Sequence, residues 1–135
     1  MNLETNIVTV AKNQTEVFNF LSNVKNYEQL MPENIDKFEA INDQFIFALK
    51  GMPEITLQLQ ETHPNDKVVL GSTSNKFPFT LTGTIKEDTS NSSQKGDNCT
   101  VQLVFDGKFN PMMSMMIKNP IQKFINTLIE NIGKI

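Results

Sequence analysis

The chain has 135 residues, 39% of them hydrophobic and 20% charged, with a formal net charge of −3. A chain of this length is expected to form one domain, residues 1–135, and to bury roughly two-thirds of its unfolded surface without staples. All 12 basic residues are Lys and none is Arg. Without the guanidinium fork that reads phosphate and guanine, and with an isoelectric point near 5.1, nucleic acid is argued against as a partner.

Cys99 is the only cysteine, so no internal disulfide forms. The opening MNLETNIVTVAKN lacks the basic and apolar regions of a signal peptide. No stretch approaches the roughly 20 apolar residues of a membrane span. A cytoplasmic protein with no integral membrane segment is expected.

Thr5–Ala11 (TNIVTVA) is short and β-branched, and reads as the first strand. Asn13 and Glu16 then have capping-box spacing, and Val17, Phe18, Leu21 and Val24 recur at helical intervals. KNYEQLMPEN reads as a second short helix. Pro32 pushes Met31 out of the α region and should end it.

From Ile35 the period becomes two. IDKFEAI meets the turn pair Asn42-Asp43, and QFIFALK follows until Gly51 and Pro53 break it. EITLQLQET alternates cleanly, HPND is a turn, and KVVLGSTS and KFPFTLTGTIKED are the next strands. Pro78 is tolerable there only near an edge or a strand start. Asp88–Asn98 has no apolar residue and reads as a mobile hairpin loop. CTVQLVFDGKF is the last strand.

The closing segment is helical: Asn110 suits an N-cap and Pro111 the first helical position. Ile117, Ile121, Phe124, Leu128 and Ile132 form its apolar stripe, and Pro120 inside the pattern should kink or split it. Four methionines, Met112, Met113, Met115 and Met116, crowd its start. Consecutive helical residues stand about 100° apart, so all four cannot face one core. At least one is expected outside, at a pocket entrance or against a partner.

The order is therefore strand, two short helices, six strands and a long helix, with short turns that demand an antiparallel sheet. VFNFLSNVKNYEQLMPENIDKFEA, with Val17, Leu21, Tyr27 and Pro32 in the places of a V-x-x-x-L helix and an aromatic-to-Pro turn, is similar to the opening of the START/Bet v 1-like (SRPBCC) superfamily. The helix after FNPMM resembles that family's terminal helix. The resemblance covers nearly the whole chain. It implies an α+β helix-grip fold: a curved antiparallel seven-stranded sheet around a long C-terminal helix, with two short helices between strands 1 and 2 and an apolar cavity between sheet and helix.

Chemistry-bearing residues are few. His63 sits in a turn sequence and reads as solvated. Cys99 has inward parity and reads as a small hydrophobe. Glu54, Glu61, Glu87, Asp88 and Asp106 fall mostly at strand ends, where solvated edge charges are the plainer reading. No P-loop, dinucleotide fingerprint or nucleophile elbow occurs, and no metal or other cofactor is expected.

The inward strand positions are overwhelmingly apolar, with Ser72, Gly83 and Gly107 as small interruptions. Parity, the helix stripe and the resemblance together give the candidate ligand-binding residues Tyr27, Phe45, Phe47, Leu57, Leu70, Ser72, Phe79, Leu81, Leu103, Phe105, Met112, Met113, Met116, Ile117, Ile121 and Phe124. Tyr27, Ser72, Lys50 and Lys76 are the candidate polar contacts.

The favoured reading is non-enzymatic binding or transport of a small hydrophobic molecule, such as a lipid, isoprenoid or polyketide-like ring, by a monomer or weak homodimer. A cyclase- or isomerase-like enzyme would use the same cavity with Glu61, Asp106 or Tyr27 pointing into it. A chaperone-activator-like module would present the Met segment to a protein. Periodicity alone does not distinguish an open cavity from a packed one. The segment Asn110–Pro120 is read as a gate.

Overall fold

The computed structural model describes residues 1–33, 35–49, 54–73, 78–87 and 98–135. The expected loop after Glu87, except Asn98, lies outside the described residues, as do Lys50, Gly51, Pro53, Lys76 and Phe77.

The architecture is α+β: a curved antiparallel sheet and a long C-terminal helix. Its elements are β1 (Asn2–Glu4), β2 (Val8–Val10), α1 (Gln14–Leu21), a 3-10 helix (Val24–Leu30), β3 (Ile35–Ile41), β4 (Gln44–Leu49), β5 (Ile55–His63), β6 (Lys67–Ser72), β7 (Phe79–Glu87), β8 (Cys99–Gly107) and α2 (Pro111–Ile132). From β3 to β8 each strand pairs with the next, and the two N-terminal strands close the far edge on β8.

Seven strands were expected and eight are present, because the first is cut in two. It begins earlier than the β-branched run suggests, at Asn2 rather than Thr5. β1 pairs with β8 through Leu3↔Phe105, and β2 through Val10↔Cys99. Between them Thr5 is buried. Its hydroxyl accepts from the Leu103 amide at 3.0 Å and donates to the Asn6 carbonyl at 2.9 Å. A side chain that replaces a ladder partner breaks the strand, and no hydrophobic pattern announces that.

Local signals set the other boundaries. The Asn13 side chain accepts from the Glu16 amide at 2.8 Å and starts α1, which buries Val17 and Leu21. Met31 is extended after the 3-10 helix, as the following proline requires. Asn42 takes a left-handed φ of 56° in the β3–β4 turn, a conformation Asn tolerates. Pro78 directly precedes β7, where its missing N–H removes no ladder bond.

The Asn110 side chain caps α2 by accepting from the Met113 amide at 2.8 Å. The helix runs unbroken through Pro120, whose ring faces outward. Burial on both sides of the proline holds it: Ile117, Ile121, Phe124, Ile125, Leu128, Ile129 and Ile132 all pack inward. At about 1.5–3 kcal/mol for each large apolar side chain, these seven bury roughly 10–20 kcal/mol gross of hydrophobic free energy. That outweighs the roughly 3 kcal/mol a mid-helix proline costs.

Candidate functional site

Strand polarity gathers one set of groups at the end of the sheet where α2 begins. Ile35 faces Leu49, Phe47 faces Ile55, Leu57 faces Ser72, and Phe79 faces Gly107. Phe109 and the first turns of α2 follow directly after Gly107.

The interior between sheet and α2 is lined as parity predicts. Phe45, Phe47, Leu57, Leu70, Leu81, Leu103 and Phe105 are buried on the sheet, opposite buried Ile117, Ile121 and Phe124. Two aromatic rows hold this packing. Tyr27 stacks on Phe45 at 5.0 Å, Phe45 on Phe47 at 5.8 Å, and Phe47 on Phe124 at 4.8 Å. Phe79 stacks on Phe105 at 4.8 Å, and Phe105 on Phe109 at 6.3 Å. Offset stacks of this kind add to the area they bury.

Among the described residues the void found here is small. A void of about 10 Å³, room for roughly one water, lies against the second half of α2. Tyr27, Leu70, Leu81 and Leu103 of the expected set line it. So do Val68 of β6 and Gly83 of β7, and Leu21, Leu30, Leu128 and Ile132, which come from α1, the 3-10 helix and the end of α2. Sequence parity assigns faces but not which helix residues meet above a given strand, so the four helical residues are absent from the expected ligand-binding set. Around this void the described residues are closely packed.

The hydroxyl that reaches this void is satisfied. The Tyr27 hydroxyl donates to the Leu21 carbonyl at 2.8 Å. Burial pushes its pKa well above the ordinary phenol value, because the phenolate would be desolvated. Tyr27 is a neutral donor across the physiological range. Among the described residues no buried side-chain nitrogen or oxygen lacks a partner.

A concavity of ligand size lies at the rim instead. An open groove of about 370 Å³ is lined by Ser72, Pro78, Phe79, Thr80, Asp106 and Lys108. Small-molecule sites run about 300–1,000 Å³. Phe79 is its inner wall, and Phe105 and Phe109 lie behind it. Phe109 covers Gly107 so closely that a Cβ there would overlap its ring. Gly107 thus makes room for the Phe109 ring, which stacks on Phe105.

The remaining candidates separate. Met113 is half-buried against the core, whereas Met112, Met115 and Met116 point outward. Glu61 is exposed and pairs with exposed His63 at 2.8 Å. Cys99 is buried. Among the described residues no group of three His, Cys, Asp or Glu stands close enough to hold a metal ion, and no helix is long and apolar enough to cross a membrane.

Gly83 offers a direct test of the void. A Cβ there would meet Leu103 Cδ2 at 3.5 Å and Leu21 Cδ1 at 3.7 Å, ordinary contact distances. Gly83→Ala should therefore fill empty space and remove backbone freedom from the unfolded chain. Thermal melts should show stabilisation of about 0.5–1 kcal/mol. A lowered melting temperature would mean that this wall has no slack.

No protein-family model matches the sequence, and no curated protein matches it significantly. Solved structures do match the fold. The solution structure of KanY protein superposes with a TM-score of 0.77 at 8% identity, over 99% of this chain and 95% of that one. A START superfamily protein from Mycobacterium smegmatis gives 0.68 at 13% identity, over 98% and 94%. Norcoclaurine synthase from Thalictrum flavum gives 0.73 at 12% identity, over 99% and 84%; another structure of that synthase holds dopamine and hydroxybenzaldehyde. With the sheet wrapped on its terminal helix, this chain has the helix-grip fold of the START/Bet v 1-like (SRPBCC) superfamily.

Proposed function

We propose that the protein, acting as one domain, binds a small hydrophobic or amphiphilic molecule between the sheet and α2. The ligand enters at the end where α2 begins. The observation that carries this reading is the ligand-sized groove whose inner wall, Phe79, belongs to the aromatic row reaching into an otherwise apolar interior. An apolar body would replace ring contacts inside, while Ser72 and Lys108 meet a polar end at the rim. A synthase of the same fold holds dopamine and hydroxybenzaldehyde, which supports small-molecule binding by this architecture.

Because the described residues between sheet and α2 pack closely, binding among them requires displacement. Met113 and Phe109 are half-buried, and Met is the most adaptable apolar side chain. Pro120 has no N–H for the Met116 carbonyl, so the first turns of α2 are held less firmly than the rest. Those turns are the gate.

Native mass spectrometry of freshly purified protein, with thermal shifts over a panel of fatty acids, isoprenoids and aromatic polyketides, tests the reading. A bound apolar mass, or a rise in melting temperature with one ligand class, is the expected result. Absence of both would overturn it. Catalytic use of the same groove has Asp106 as its one lining carboxylate. A ligand released with altered mass by the wild type, but unaltered by Asp106→Asn, would favour that alternative.

A further inference from the structure

We propose that the outward face of the first two turns of α2 docks on an anionic lipid bilayer. Met112, Met115 and Met116 are 75%, 82% and 72% exposed. They stand at i, i+3 and i+4, so they form one stripe on the side of α2 opposite buried Ile117 and Ile121. Three long apolar side chains held in water on one face are a docking surface unless something covers them.

The charge along the helix identifies what covers them. From Gly107 to Ile129 there is no acidic residue, while Lys108, Lys118 and Lys123 are all exposed. Residues 1–106 carry the opposite balance, 14 acids against 8 lysines. Lys123 lies seven residues, about two turns, after Met116 and on the same face. Lys118 flanks Met115. Among the described residues none of these three lysines is in an ion pair.

An apolar stripe set among unpaired ammonium groups on an otherwise acidic protein matches the boundary between acyl chains and anionic headgroups. A second copy of the chain fits worse. Twofold pairing of this stripe would bring Lys118 and Lys123 against their like, with no carboxylate before Glu130, roughly 20 Å farther along the helix. The docking face stands on the turns read above as the gate, but its argument uses only the exposed stripe and the charges.

Flotation with phosphatidylcholine vesicles, with and without phosphatidylglycerol, tests the proposal on the full chain. The wild type should float with the anionic vesicles, less as salt rises, and not with phosphatidylcholine alone. Combining Met112→Ser, Met115→Ser and Met116→Ser should weaken flotation about tenfold or more at an unchanged melting temperature, since these side chains bury nothing in the fold. Lys118→Gln with Lys123→Gln should remove most of the salt dependence. No flotation of the wild type, or equal flotation of the Met variant, would overturn the proposal. So would sedimentation showing a wild-type dimer that the Met variant dissociates. Ligand occupancy is read separately, without vesicles, so failure here and failure of the ligand reading are distinguishable.

Discussion

Phe124→Ala is expected to destabilise the protein by about 3–5 kcal/mol, lowering the melting temperature by roughly 10 °C or more. Phe124 is 5% exposed and stacks on Phe47 at 4.8 Å with an interplanar angle of 11°. It is the contact through which the middle of α2 grips the aromatic row on the sheet. Truncation loses the transfer energy of the ring and leaves a cavity that the neighbouring rings, fixed by Phe45 and Tyr27, close poorly. The same cavity should make room for an apolar ligand. Ligand addition should then raise the melting temperature of Phe124→Ala more than that of the wild type, because a ligand that binds only the folded state stabilises it. Calorimetric melts with and without ligand measure both effects. A loss below about 1 kcal/mol would mean that the middle of α2 is not what holds helix to sheet.

Pro120→Ala should act in the opposite direction. It restores an amide donor for the Met116 carbonyl and relieves ring crowding, while giving up the proline's restriction of the unfolded chain. The balance is a gain of about 2 kcal/mol. Pro120 lies on the outward face, so the substitution touches no core contact. If the first turns of α2 open to admit ligand, strengthening the helix at that point should slow uptake of a fluorescent fatty acid in stopped flow. Stabilisation with unchanged uptake would place the access route elsewhere, leaving the binding reading itself intact.

The order of elements was legible because each carries a local signal. Period-two alternation marks β4, β5, β7 and β8, and asparagine caps mark both α-helix starts. Proline ends the 3-10 helix and precedes β7. These signals act over a few residues, within the reach of sequence reasoning. Buried Ile125 and Ile129 were missed in the α2 stripe because a helix gripped by a curved sheet buries a wider arc than a flat contact. The break at Thr5 was missed because it depends on the Leu103 amide, 98 positions away.

The candidate site divides in the same way. The sequence by itself determined the inward parity of Phe45, Phe47, Leu70, Leu81, Leu103 and Phe105, since alternation on a strand leaves no other choice. It also determined that four adjacent methionines cannot all face the core. Tertiary structure alone decided the rest. Among the described residues a void of about 10 Å³ lies inside, and a ligand-sized groove lies at the rim beside Asp106 and Lys108. Met113 turns in, and Met112, Met115 and Met116 turn out on a helix whose exposed charges before Glu130 are lysines. The physical reason is that periodicity fixes which way a side chain points, whereas the space left between two faces depends on how closely they approach, and pairings distant in sequence set that distance.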